Sequence, residues 1–332
     1  NQLRYISHYP DATNDDVLNA IADTYGMDKN QIIVGNGAAE LLYAICRLPG
    51  YTGAFVPAPG FSEYKEALEA SNIPVRDIFY RPREDDNEKP YFEVPYLALE
   101  TFAAELKGQD GRIIVFLGNP NNPDGTLLDK AHIRTVASML KDANSLLVID
   151  ESFIDFVGND PLRDNDQSMR SLINEFDNII VVHSFTKFYS VPGLRIGAAF
   201  GNEKLISQLH QYIPSWSVNT LAQAYTEAAL NDVDYIKRTK QELNEERAFM
   251  YNALDAIEGI TVYPPSANFI LFKVNREGIT ANTINENLKR DNMIVRNCDS
   301  YVGLNNQWVR IAIKDHDTNI KLVEKLTDIL KV

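Results

Sequence analysis

The chain has 332 residues, 45% hydrophobic and 23% charged, which is enough apolar content for one large core plus a smaller one and excludes global disorder. Its formal net charge of −14 repels nucleic acid and anionic membranes, so neither is an expected partner. Any small anionic ligand must then be drawn by a local cluster of Lys, Arg and backbone N–H groups.

The sequence opens on Asn1 with no signal-peptide pattern, and a natural N-terminal segment is expected to be missing. The amphipathic stretch 14–25, closed by Gly26, predicts a helix. A strand at 31–34 (QIIV), a helix at 38–47, a strand at 53–56 (GAFV) and a helix at 61–71 follow. The run 83–89 (REDDNEK), between Pro82 and Pro90, reads as a solvated loop. Further strands are expected at 112–117 (RIIVFL), 145–149 (SLLVI), 178–182 (NIIVV) and 195–200 (RIGAAF), with helices at 129–143 and 203–212. Nearly continuous apolar runs suit strands buried on both faces. Their alternation with helices predicts a three-layer α/β/α domain with a mostly parallel sheet, placed at 10–225. Beyond it, 219–257 reads as mostly helical. A strand at 267–274 (ANFILFKV), a helix near 281–290, a strand near 307–313 and a helix at 317–331 complete a smaller α+β domain at 235–332, with residues 1–9 as an arm. Cys46 and Cys298 stand in no metal-ligand spacing and read as reduced thiols of a cytosolic protein, with no metal site expected. No apolar run approaches membrane-span length.

In open parallel sheets, ligands bind beyond the carboxyl ends of the strands. The segments in those places are GNGAAE (35–40), PAPGFSEY (57–64), GNPNNPDG (118–125), DESFIDF (150–156) and HSFTKFYSVPGLR (183–195). Taken singly, each has an ordinary reading: a glycine turn, a rigid loop, a helix cap, a surface lysine. Together they bring a helix N-terminus, hydroxyls, an arginine, a lysine and a carboxylate to one edge. That is a phosphate site with an amine beside it and an acid to pair with a ring nitrogen, the set that pyridoxal 5'-phosphate (PLP) requires.

With these motifs the sequence resembles PLP-dependent enzymes of fold type I, the class I/II aminotransferases, through the ordered series Asn122, Asp150, Lys187 and Arg195 in the NPDG, D-E-x-F and S-x-T-K contexts. The resemblance implies that Lys187 forms a Schiff base with PLP, Asp150 pairs with the ring nitrogen and Asn122 bonds the ring hydroxyl. It further implies that Phe61 stacks on the ring, while Ser184, Thr186, Arg195 and the backbone at Gly37, Ala38 and Ala39 hold the phosphate. Tyr9, in HYPDA (8–12), would reach the phosphate of a neighbouring subunit, which implies a homodimer with shared active sites.

Within the family the chain is most similar to the histidinol-phosphate aminotransferase and threonine-phosphate decarboxylase groups, through PSWSVN (214–219), TVYPPSANF (261–269) and IVRNCDSYVGL (294–304) ahead of WVRIAI (308–313). This implies substrate anions held by Arg296 (phosphate) and Arg310 (carboxylate), with Asn268 helping to place the carboxylate. Phe153 stands where aminotransferases usually carry Tyr, as it tends to in the decarboxylases; the decarboxylases' N-terminal His-Gly-Gly element has no match here. The implied activity is decarboxylation of an O-phosphorylated amino acid, L-threonine O-3-phosphate to 1-aminopropan-2-yl phosphate in cobalamin side-chain synthesis. Transamination of histidinol phosphate with 2-oxoglutarate is the alternative. A non-catalytic ligand-binding regulator is disfavoured, because Lys187 is present and no basic domain accompanies it.

Overall fold

The protein is described here by a computed structural model covering residues 4, 6–85, 88–107, 111–158 and 166–331. The strands are β1 (Ile32–Gly35), β2 (Tyr51–Ala58), β3 (Val75–Phe79), β4 (Arg81–Arg83), β5 (Tyr91–Glu93), β6 (Arg112–Gly118), β7 (Leu146–Asp150), β8 (Ile179–Ser184), β9 (Gly197–Gly201), β10 (Ile260–Val262), β11 (Phe269–Val274), β12 (Arg296–Asn297) and β13 (Trp308–Ala312). The helices are α1 (Asp15–Tyr25), α2 (Gly37–Cys46), α3 (Glu63–Ala70), α4 (Tyr96–Glu105), α5 (Lys130–Asp142), α6 (Phe185–Phe188), α7 (Glu203–Leu209), α8 (Thr220–Leu230), α9 (Val233–Asp255), α10 (Ala281–Leu288) and α11 (His316–Leu330).

Among the described residues, seven strands form one sheet in the order β1-β9-β8-β7-β6-β2-β3. Strands β3, β2, β6, β7 and β8 run parallel, while β9 is antiparallel to both β8 and β1. The three central strands β6, β7 and β8 are apolar at almost every position because both faces are covered. Alternate side chains go to opposite layers. Val115, Leu147 and Val181 join one apolar cluster with α1 and α5, whereas Ile114, Val148 and Ile180 join another with α2 and α3. A second, antiparallel sheet has the order β10-β11-β13-β12 and is packed by α10 and α11. No described helix is long and apolar enough to cross a membrane.

Three features depart from expectation. The edge strand β3 and the helix α4 lie where no element was expected; β3 alternates exposed and covered positions and carries Arg76 and Asp77, so it lacks the apolar run of a central strand. The run 83–89 is not simply a solvated loop. Arg83 belongs to β4, which pairs with β5, and Glu84 accepts from Tyr263 Oη at 2.8 Å and from Lys273 Nζ at 3.2 Å. Its Asp86 and Asn87 lie outside the described residues. The long helical stretch is broken at Asn231 and Asp232, where the Asp232 side chain caps α9. Of the expected arm 1–9, residues 1–3 and 5 also lie outside the described residues.

Candidate active site

Strand register brings the chemistry to one edge. Gly118 is opposite Asp150, Asp150 opposite Val182, and Ser184 and Gly35 are both opposite Gly197. The turns leaving β1, β6, β7 and β8 therefore open on the same side of the sheet.

At one corner α2 begins at Gly37, and Glu40 Oε2 accepts from the Asn36 N–H at 2.6 Å. Gly37 has φ +79°, and a Cβ there would fall 2.6 Å from Arg195 Nη2. Only glycine permits that approach of guanidinium to helix start. Gly197 is constrained more firmly, since a Cβ would meet backbone, the Ala38 nitrogen at 2.6 Å and the His183 carbonyl oxygen at 2.8 Å. Arg195 itself adopts φ +58°, a conformation that a side chain with a Cβ rarely takes up. Ser184 Oγ and Thr186 Oγ1 are 2.8 Å apart and both buried. Helix N–H groups without intrahelical partners, a guanidinium and two hydroxyls form an anion cradle.

Beside it a small pocket is lined by Phe61, Tyr64, Pro120, Asn122, Asp150, Phe153 and Lys187. Lys187 lies in the single turn α6, directly after β8, and its Nζ is 4.4 Å from the Phe153 ring centroid. Desolvation pushes the Lys187 amine below the ordinary lysine value; the Asp150 carboxylate opposes this, and the Arg195 and Arg310 guanidiniums add to it. Asp150 ends β7. Its Oδ2 accepts from Tyr64 Oη and its Oδ1 from the Ser152 N–H, each at 2.8 Å. Neighbouring Glu151 is a structural acid, fully buried and accepting from Asn119 Nδ2, Ser168 Oγ and the Met169 N–H.

Outside this pocket an open cavity shares Phe61 and Asn122 with it; Lys65, Arg296, Tyr301 and Arg310 line it, with the carboxylates Glu66, Glu69 and Asp77 also on its wall. Arg296 and Arg310 are direct cross-strand partners on β12 and β13. Like charges set opposite each other cost stability unless an anion lies between them. Their hydrogen-bond partners are neutral: Arg296 Nη2 donates to Ser300 Oγ at 3.0 Å, and Arg310 Nη1 donates to Asn122 Oδ1.

Sequence-expected residues thus gather in three adjoining groups: Gly37, Ala38, Ala39, Ser184, Thr186 and Arg195; then Phe61, Asn122, Asp150 and Lys187; then Arg296 and Arg310. Two stand apart. Tyr9 is 80% exposed, with its ring 5.0 Å from that of Trp216. Asn268 lines neither cavity, and its Oδ1 is buried without a donor. Sequence reasoning missed Tyr64 and Tyr301. Tyr64 follows Phe61 by three positions in PGFSEY, a spacing that could have flagged it; Tyr301 carried no comparable signal.

The sequence profile of aminotransferase class I and II matches residues 2–326. The chain belongs to that family. Threonine-phosphate decarboxylase of Salmonella typhimurium is 31% identical over 329 residues, covering 99% of this chain and 85% of that protein. Histidinol-phosphate aminotransferase of Methanothermobacter thermautotrophicus is 30% identical over 334 residues, covering 99% and 83%. An adenosylcobalamin biosynthesis bifunctional protein of Leptospira interrogans is 31% identical over 97% of this chain, which spans only 35% of that protein. The fold matches the crystal structure of histidinol-phosphate aminotransferase from Clostridium acetobutylicum with a TM-score of 0.87 at 24% identity, covering 99% of this chain and 92% of that one. This class I/II enzyme uses PLP, and its donor set fits the group. The glycine-walled cradle, the desolvated lysine and the buried carboxylate are the donor types that a phosphate, an aldehyde and a ring nitrogen would call for.

Proposed function

We propose that the enzyme decarboxylates an O-phosphorylated amino acid, L-threonine O-3-phosphate, giving 1-aminopropan-2-yl phosphate and carbon dioxide for cobalamin side-chain synthesis. The observation that carries this is the Arg296–Arg310 cross-strand pair on the wall of the outer cavity, two cations with neutral partners that suit a substrate with two anions. Phe153 supports the lyase reading, since its position lacks the hydroxyl usual in the aminotransferases.

In this reading Lys187 Nζ would hold PLP and Asp150 would pair with its ring nitrogen. Asn122 donates to the ring oxygen and Phe61 stacks on the ring. Arg195, Ser184, Thr186 and the N–H groups of Gly37, Ala38 and Ala39 hold the cofactor phosphate. Arg310 takes the substrate carboxylate with help from Asn268, and Arg296 takes the substrate phosphate. PLP, when bound, would supply an electron sink for the substrate bond that breaks. By fixing the carboxylate (Arg310) and the phosphate (Arg296), the two arginines would select which Cα bond is broken, and the Lys187 amine would return a proton to Cα. Tyr9 reaches the cofactor phosphate of a second copy, so the enzyme works as a homodimer with shared sites; its exposed contact with Trp216 supports an interface there.

Transamination of histidinol phosphate with 2-oxoglutarate is the second reading, supported by the relative of that name at 30% identity. It uses the same lysine and acid. The test is direct: purified protein with PLP and phosphothreonine is assayed for carbon dioxide, and in parallel histidinol phosphate with 2-oxoglutarate is assayed for glutamate. Carbon dioxide from the first mixture is expected; glutamate from the second without carbon dioxide from the first overturns the proposal.

A further inference from the structure

Asn122 lies between the two sheets, and its amide oxygen is held from one side. Tyr301 Oη is 3.1 Å from Asn122 Oδ1, and Arg310 Nη1 meets the same oxygen. A guanidinium can only donate, so the atom it meets is the amide oxygen and not the amide nitrogen. Tyr301 must therefore donate there as well, and the Asn122 Nδ2 donors are turned away from both residues.

Those donors matter because the inner pocket has few others. Phe153 offers a ring where a hydroxyl would serve, and the Tyr64 hydroxyl is committed to Asp150. Among the described residues lining that pocket, Asn122 is the neutral donor left for the oxygen substituent of the PLP ring.

Resting on the reading above, in which Arg310 takes the substrate carboxylate, we infer that Tyr301 is a positioning residue whose hydroxyl keeps Asn122 turned toward the cofactor once Arg310 is engaged. A carboxylate draws a guanidinium more strongly than a neutral amide oxygen does. When Arg310 turns to substrate, Tyr301 is what still holds Asn122 Oδ1. Tyr301 is placed to stay. It sits on the turn between β12 and β13, its N–H bonds the Cys298 carbonyl at 3.1 Å, and its ring lies 5.6 Å from the Arg296 guanidinium. One side chain thus touches both the cation assigned to substrate phosphate and the amide assigned to the ring oxygen.

A donor to the ring oxygen stabilises its ionised form and lowers the proton affinity of the nitrogen bonded to Lys187. Loss of that donor should raise the pH midpoint of the visible absorbance change. The PLP-loaded protein is titrated spectrophotometrically, without turnover, as wild type, Tyr301→Phe, Asn122→Ala and the double variant. Each is measured without ligand and with saturating succinate, an unreactive dicarboxylate that engages Arg310. In succinate, Tyr301→Phe should move the midpoint upward by about one unit, the scale of one hydrogen bond to a charged form. The double variant should match Asn122→Ala, because Tyr301 acts through Asn122. Coincidence of Tyr301→Phe with wild type in both media overturns the inference, as does an equal shift added on the Asn122→Ala background. A wild type that gains no visible band with PLP instead overturns the cofactor assignments themselves.

Discussion

Tyr64 donates to Asp150 across 86 residues of sequence, with 2.8 Å between Oη and Oδ2 and both side chains buried. The ring of Tyr64 stacks on Phe116 at 5.2 Å, which fixes where its hydroxyl points. Desolvation and the Asp150 carboxylate together hold the Tyr64 phenol well above its ordinary value, so it remains a donor at every working pH.

Tyr64→Phe should therefore leave a buried carboxylate oxygen short of a donor while the ring still packs. The expected cost is about 1–3 kcal/mol of apoprotein stability, measured by denaturant unfolding. A change within error would mean that water replaces the hydroxyl at no cost.

Lys187 gives a second stability test. Its folded-state pKa is depressed, by desolvation above all. Between that value and the ordinary lysine value, the unfolded chain binds more protons than the folded one, so apoprotein stability rises with pH across that window. Lys187→Met should remove this slope and stabilise the apoprotein at neutral pH. The same variant should lose the visible band that PLP acquires on bonding a lysine. A retained band would move the attachment to another residue.

How much of this was legible in the sequence depends on how local each signal is. β6, β7 and β8 were readable because burial on both faces demands unbroken runs such as Ile113–Leu117. β3 was not, because an edge strand can carry polar residues, Arg76 toward solvent and Asp77 on the wall of the outer cavity. The motif residues Asn122, Asp150, Lys187 and Arg195 were singled out by family resemblance and by their place at or after strand ends, and the fold brings them close together. Tyr64 and Tyr301 act on those residues through contacts made only when distant segments fold together, Tyr64 with Asp150 and Tyr301 with Asn122. Glu84 was hidden in a charged run that looked solvated, although Tyr263, just past β10, and Lys273 of β11 claim its carboxylate.

Assembly is tested by complementation. If Tyr9 acts in a neighbouring site, mixing Tyr9→Phe subunits with Lys187→Ala subunits gives hybrid dimers in which one site carries both lesions and the other neither. Activity above that of both parents, approaching half of wild type per hybrid, is expected. Hybrids no better than the Tyr9→Phe parent would place Tyr9 in its own subunit's site or in none.

The two arginines should separate by substrate. On the proposed reading the substrate amine would be fixed through PLP and its two anions by protein cations, and Arg296 and Arg310 line the same cavity. If Arg296 binds phosphate, Arg296→Ala should lower kcat/KM for phosphothreonine far more than for threonine. The difference should be about 2–3 kcal/mol for one charge-assisted contact, and more if the phosphate is left buried without a partner. Arg310→Ala should weaken both compounds alike, because both carry the carboxylate. It should also disturb Asn122, whose oxygen it shares with Tyr301. With the carboxylate no longer pinned, the Cα substituents can rotate, and slow transamination should appear beside decarboxylation. Measuring kcat/KM for both compounds in both variants decides the matter. Equal losses on the two compounds for Arg296→Ala would remove it from the phosphate and weaken the case that the natural substrate is phosphorylated.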